Sequence, residues 1–373
     1  MNPRPAHHQA LTCLFLLAFA FSLPGPFSLV PDAAAASSSA SARIIKKLKK
    51  QIASLKKQLA AAKATPAPFI EMVTVGNAGN AVDPSDGDSG TGGTQNFGAV
   101  AATFRIGKFE VTNAQYVAFL NAVAATDTNG LFSSSMETNA RGGIDQFGTS
   151  GSFRYAVRAG MGDKPVNFVS WFDAVRFCNW LHHGRPSGLQ SAGTTETGSY
   201  DLTIPGAIAG NTVTRSPGAK FFLPTEDQWY KAAYHQPESA GGDPADGYWL
   251  YPTKSNDIPT VAAVNAIGEI EPDTANIANY NTGADWDSNG DEVNENGNVT
   301  TVGSGGSGIT SFYGAFDMGG NVFEWNEAVI SGSFRGLRGG SWLDDEFNLR
   351  SSGRDNSLPD FGFDSFGFRV ASP

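Results

Sequence analysis

Three short windows carry apolar residues at helical spacing, each opened by a residue pair that caps a helix. "TNAQYVAFLNAV" begins with Thr112 and places Gln115 three residues on, with Tyr116, Phe119, Leu120 and Val123 on one face. "SWFDAVRFCNWL" begins with Ser170 and Asp173 and gathers Trp171, Val175, Cys178 and Leu181. "TEDQWYKAAY" begins with Thr225 and Gln228, with Pro224 just ahead, and gathers Trp229 with Ala232 or Ala233. Elsewhere the chain reads as short strands and Gly-rich loops. "FGFRV" at 366–370 alternates Phe366, Phe368 and Val370, the period of a half-buried strand. No strand–helix–strand rhythm and no internal repeat is present, so the expected class is α+β with much irregular structure.

A fourth pattern has a different period. In "RIIKKLKKQIASLKKQLAAAK", Ile45, Leu48, Ile52, Leu55, Leu59 and Ala62 are separated by three and four residues in turn, a heptad seam. Its other faces carry lysine and no acid. The segment 43–62 reads as a self-association stalk, as a basic helix lying on an anionic envelope surface, or as a solvated spacer. "TPAP" ends it and marks a linker at 65–68.

Composition adds an address and a division of charge. Of 373 residues only 17% are charged, and 44 are Gly, as in a folded, loop-rich protein. Residues 1–36 read as a secretory signal: Arg4, the apolar run "ALTCLFLLAFAFSL", then small residues with cleavage expected near Ala34 or Ala36. The expected organisation is a signal at 1–36, a Lys-rich helix at 37–64, the linker at 65–68, and one domain at 69–373. The expected location is periplasmic, cell-envelope or secreted. The domain side of the chain, from residue 64 on, holds 17 of the 26 bases and 35 of the 36 acids. So acidic a domain is a poor nucleic-acid binder. There are two cysteines, Cys13 inside the signal and Cys178. The mature chain therefore has no internal disulfide and no two-cysteine metal site.

Several short motifs lack their chemical context. "GDSG" at 87–90 has no upstream histidine outside the signal, and "DFG" at 360–362 has no phosphate loop with it. His182 and His183 are adjacent, so a regular helix points their rings about 100° apart. "DWDSNGDEVNEN" opens as a calcium loop, with Asp285, Asp287, Asn289 and then Gly290. Its twelfth position is Asn296, with Glu295 one residue early, so a solvated acidic turn is the competing reading.

Six segments in order resemble the sulfatase-modifying-factor, or formylglycine-generating-enzyme, family. They are "FEVTNAQYVAFL", "KPVNFVSWFDAVRFCNWL", "FFLPTEDQWYKAAY", "YGAFDMGGNVFEW", "LRGGSW" and "GFRV". The resemblance implies a C-type-lectin-like α+β fold with a shallow cleft. Family members that make formylglycine hold copper(I) between two cysteines just after the Gly-Gly-Ser turn. Here those positions fall on Asp344 and near Leu349 of "GGSWLDDEFNLRSSGR", and neither is a thiol. Copper is therefore not expected, since copper(I) favours soft thiolates over carboxylates. The sulfoxide-synthase branch of the family takes its iron ligands from a helical domain that this chain lacks. The resemblance also carries calcium. Asp317 and Glu324 match side-chain ligands, Gly320 and Val322 would offer carbonyls, and Asn279 with a loop acid such as Asp285 matches a second site.

These readings imply an exported, non-oxidase member of the family that binds a peptide or a glycan, with Ser341, Trp342 and Asp344 at its cleft. Arg338, Arg354 and Arg369 are expected as partly buried guanidiniums paired with carboxylates. The rival readings are an oxidase with a non-standard site and a structural, stalked surface protein.

Overall fold

The structure is a computed structural model, and it describes residues 44–45, 48–49, 69–85, 96–241, 246–271, 274–286 and 297–373. The signal and most of the heptad segment therefore lie outside the described residues; Ile44, Ile45, Leu48 and Lys49 are helical. Pro68–Pro373 forms one compact unit.

The three capped windows are helices with the expected starts. Helix α1 spans Asn113–Val123, α3 spans Trp171–His182 and α4 spans Glu226–Tyr234. Each carries both hydrogen bonds of its capping box, so the first-turn amides that a helix leaves unpaired are met locally. One-turn helices α2 (Ser135–Thr138) and α5 (Glu346–Leu349) lie in loops. The predicted apolar faces are all buried. Burial extends further than the periodicity implies. Every residue from Trp171 to Leu181 is buried, including Asp173, Arg176 and Asn179, because other chain covers the polar side of α3 as well.

The strands are short. A three-stranded sheet has the order β1 (Met72–Val75), β2 (Phe104–Gly107), β11 (Ala371–Ser372), all antiparallel. A four-stranded sheet has the order β10 (Phe366–Gly367), β7 (Phe323–Ile330), β8 (Phe334–Arg338), β9 (Asp355–Ser357). In it β10 runs parallel to β7, with Gly367 opposite Glu324, and the other pairs are antiparallel. A hairpin of β3 (Ile144–Phe147) and β4 (Arg154–Val157) and a parallel pair of β5 (Thr260–Val261) and β6 (Ile277–Ala278) complete the set.

The segment at 366–370 departs from the expected single strand. Its first residues join one sheet as β10, and the chain reaches the other sheet as β11 only at Ala371. Between them Phe368, Arg369 and Val370 are all fully buried. The alternation is real, but the polar side faces a buried carboxylate rather than water.

The core is aromatic. Phe177 of α3 meets Phe119 of α1 at 5.4 Å and Phe368 at 5.4 Å, both edge-on, which satisfies ring quadrupoles as well as burial. Three buried indoles fasten strand β7 to its surroundings. Trp171 donates to the Asn326 carbonyl (2.9 Å), Trp325 to the Val169 carbonyl (3.0 Å) and Trp229 to Glu324 Oε2 (2.7 Å).

Candidate functional site

The turn from β8 into the Trp342 loop is set by two glycines. Gly339 and Gly340 have φ of 100° and 71°, and a Cβ on Gly340 would stand 2.8 Å from the Leu349 side chain. Strand β8 thus ends in a reversal that drops Ser341 and Trp342 into the protein. Both are buried, with Ser341 at 0% and Trp342 at 3% exposure. The Arg141 guanidinium lies 4.1 Å over the Trp342 ring, and the indole N–H donates to the Asp364 carbonyl at 3.4 Å. These two residues therefore underlie the surface. Leu343 and Phe347 of the same loop are 53% and 56% exposed, and the exposed Phe361 and Phe363 stack on each other at 5.8 Å.

Asp344 is half-buried, and Ser341 Oγ donates to its Oδ2. Burial pushes the Asp344 carboxyl above the usual range, partly offset by the Ser341 hydroxyl and amplified by Asp355 and Asp345. Asp345 caps α5 by accepting from the Phe347 amide at 3.1 Å. Leu349 is fully buried in an apolar cluster with Tyr251, Ala278 and Tyr280. The donor set at the copper positions is thus a hydroxyl-bonded carboxylate and an aliphatic side chain, which does not fit copper(I). Cys178 is buried in α3, and burial pushes its thiol well up, the opposite of what a thiolate ligand needs.

The arginines that bracket these acids pair elsewhere. Arg338 Nε and Arg354 Nε each donate to Glu226 Oε1 at 2.8 Å, and Arg354 Nη2 reaches Glu226 Oε2 at 2.7 Å. Arg350 donates to the Tyr251 hydroxyl at 3.0 Å and lies 4.3 Å over Phe347. The guanidiniums hold the loop to the start of α4, so the loop is not closed by ion pairs of its own. Glu226 is a residue that sequence reasoning missed. Its only local signal is an acid in the first turn of a capped helix, which many helices carry for dipole reasons alone.

The metal candidates divide into two groups. Glu324 faces Arg369 with both oxygens, Nε to Oε2 and Nη2 to Oε1 at 2.6 Å each, and Oε2 also accepts from Trp229. Asp317, with φ of 53°, accepts from the Gly303 amide through Oδ2 at 2.7 Å. Its carboxyl is pushed up to about 7 by burial, against the Gly303 amide and Arg369 and with help from Glu324. Three donors thus reach Glu324, two on Oε2 and one on Oε1, so an ion shared with Asp317, Gly320 and Val322 would have to use the acceptor position left on Oε1. Asn279 behaves differently. Its Oδ1 is buried with no hydrogen-bond partner, while its Nδ2 donates to the Asn298 carbonyl at 2.9 Å. An orphaned buried acceptor fits a hard cation.

The two groups also touch. The Asn321 amide donates to the Asn279 carbonyl at 2.8 Å, and a Cβ on Gly320 would fall 2.2 Å from that carbonyl oxygen. Nothing in the spacing of 279 and 320 announces this. Asp285 is exposed, while Asp287 and Asn289 lie outside the described residues. Among the described residues, no three His, Cys, Asp or Glu side chains stand close enough to hold one metal ion.

Solved structures that resemble this chain include CarF at 22% identity, Treponema denticola variable protein 1 at 21%, and PvdO from Pseudomonas aeruginosa at 18%. The matches cover 82%, 81% and 81% of this chain and 98%, 94% and 91% of the other, with TM-scores of 0.44, 0.46 and 0.38. No curated protein matches. The family model for the sulfatase-modifying factor enzyme 1-like domain (FGE-sulfatase) matches residues 60–373. That span holds the three capped helices, both larger sheets and the Gly-Gly-Ser-Trp turn, and the chain belongs to this family.

Proposed function

We propose that this family member is an exported binding module for a peptide or a glycan and is not a copper-dependent formylglycine generator. The observation that carries the reading is chemical. The two positions where the resemblance puts copper-binding thiols are Asp344, bonded to Ser341, and one near Leu349, which is fully buried. Exposed apolar side chains near the Trp342 loop in sequence, Leu343 and Phe347, and the exposed stacked pair Phe361 and Phe363 support a binding role, since exposed apolar surface favours contact with a partner. The test is mass spectrometry of a cysteine-containing sulfatase peptide after incubation with the purified protein, copper and a reductant. The thiol is expected to survive. Aldehyde formation at catalytic turnover would overturn the reading in favour of the second one, an oxidase with a non-standard site. A ligand found by glycan-array and peptide-library screening should lose affinity when Phe347→Asp is introduced.

Calcium at Asn279 is the second part of the proposal. Asn279 Oδ1 would hold it together with loop oxygens such as Asp285, and the ion would be structural. Mass action adds about 2.7 kcal/mol when free ion is a hundredfold above its dissociation constant. Chelation should lower the melting temperature, and Asn279→Ser should remove the difference between chelator and excess calcium. Superimposable melting curves for the wild-type protein in the two conditions, with no co-purifying metal, would sink the idea.

A further inference from the structure

The outward face of the three-stranded sheet carries a base that nothing holds. Ile106 and its partner Ala371 are fully buried, so their neighbours Arg105 and Ser372 point the other way, and Arg105 is exposed. The sheet continues past β11, because Phe222 and Ala371 exchange both amide hydrogen bonds, at 2.9 and 2.6 Å. This lays Lys220 and Phe221 alongside the end of β11. In a domain with about twice as many acids as bases, most bases find a partner. Among the described residues, the bases of the domain whose side chains meet no acid, carbonyl, hydroxyl or ring are Arg105, Arg154 and Lys220.

Arg105 and Lys220 line the same surface recess, of about 460 Å³, and its apolar lining is Ile70, Met72, Ala219 and Phe221. That volume is in the range of small-molecule sites. Both bases are exposed, so a ligand reaches them without breaking a buried contact. No Asp or Glu lines the recess. Glu71, between Ile70 and Met72 in sequence, is held by Lys108 at 2.7 Å. Pro373 also lines it, and even a terminal carboxylate there leaves positive charge in excess, two bases against one acid. None of the residues around Trp342 or Asn279 takes part. We propose that this recess binds a small organic carboxylate with an apolar body, its oxygens on Arg105 and Lys220 and its body on Ile70, Met72 and Phe221. A guanidinium receives a carboxylate through two parallel hydrogen bonds, which fixes the head of such a ligand. A bare inorganic anion fits less well, because the apolar side chains offer it nothing.

The probe is hexanoate, titrated into the full chain at constant ionic strength and followed by amide chemical shifts. Saturable shifts at Arg105, Lys220 and Phe221 are expected, with 1-hexanol, acetate and sulfate each at least tenfold weaker. Arg105→Gln with Lys220→Gln should weaken hexanoate binding at least tenfold. Both side chains are exposed and unpartnered, so the double variant keeps the contacts of the fold. Should it fail to fold, Met72→Glu answers the same question by placing an acid in the recess, and it should weaken binding as much. Arg154→Gln, on strand β4 and away from the recess, should leave binding unchanged. Absence of saturable shifts at the recess overturns the proposal. So does equal binding of any control ligand, undiminished binding in the folded recess variants, or a loss in Arg154→Gln as large as theirs, which would make the effect one of general charge.

Discussion

Arg369 stands among three buried carboxylates, Glu110, Asp317 and Glu324, and forms its closest pair with Glu324. Burial, with the neighbouring Asp317, pushes Glu110 well above the usual carboxylate range despite the pull of Arg369. Removing a buried partner costs more than the pair itself contributes, because the remaining charge is stranded. Arg369→Met should therefore cost about 3–5 kcal/mol near neutral pH, read from urea unfolding. The cost should grow as pH rises. Without the guanidinium the carboxylates stay folded best with protons bound, so the folded state holds more protons than the unfolded state and stability falls with pH. A deficit that is the same at pH 5 and pH 8 would show that Arg369 acts through packing alone. At this scale the sequence was partly legible. An arginine in "GFRV" is visible as a charge inside an apolar alternation, but its partners are 45 and 259 residues away, and no local pattern encodes them.

The helices were legible because their signals are local. A capping box joins residues three apart, and an apolar face joins residues three and four apart, so both survive in the sequence unchanged by the rest of the fold. Ser170 illustrates the strength of such a signal. Its Oγ accepts from the Asp173 amide at 3.1 Å and donates to Asp173 Oδ2 at 2.6 Å. Ser170→Ala should cost about 1 kcal/mol, and Ser170→Gly only a few tenths, since Gly at an N-cap leaves the amides better solvated. Equal losses for the two substitutions in denaturant unfolding would mean that the cap contributes nothing of its own. Strand β10 shows the opposite case. An alternating pentapeptide carries no information about which sheet it joins, and here only Phe366 and Gly367 pair, in one sheet, before the chain enters the other at Ala371.

On the scale of the whole molecule, the acidic family domain and the basic heptad segment have opposite charge and separate sequence character. If the heptads form a stalk, the envelope fraction should yield a chain with the mass of residues 37–373 that sediments as an oligomer. Leu48→Lys with Leu55→Lys should then return it to the monomer by placing charge in the apolar seam. A wild-type chain that sediments as a monomer leaves only the spacer and surface-binding readings for this segment.

The sequence by itself determined the family, the α+β class, the starts of the three helices and the absence of a thiol pair at the copper positions. These rest on residue identity and on short-range spacing, which need no fold to be read. Only the tertiary structure decided which charges meet. It gave Arg338 and Arg354 to Glu226 instead of to the acids beside them, paired Glu324 with Arg369, and set Asn279 against the Asn321 turn. It also buried Trp342 beneath the face that the sequence assigns to it. The physical reason is the same each time. A buried polar atom must find its partner in three dimensions, and in a fold built of short strands and long loops that partner is most often far away along the chain.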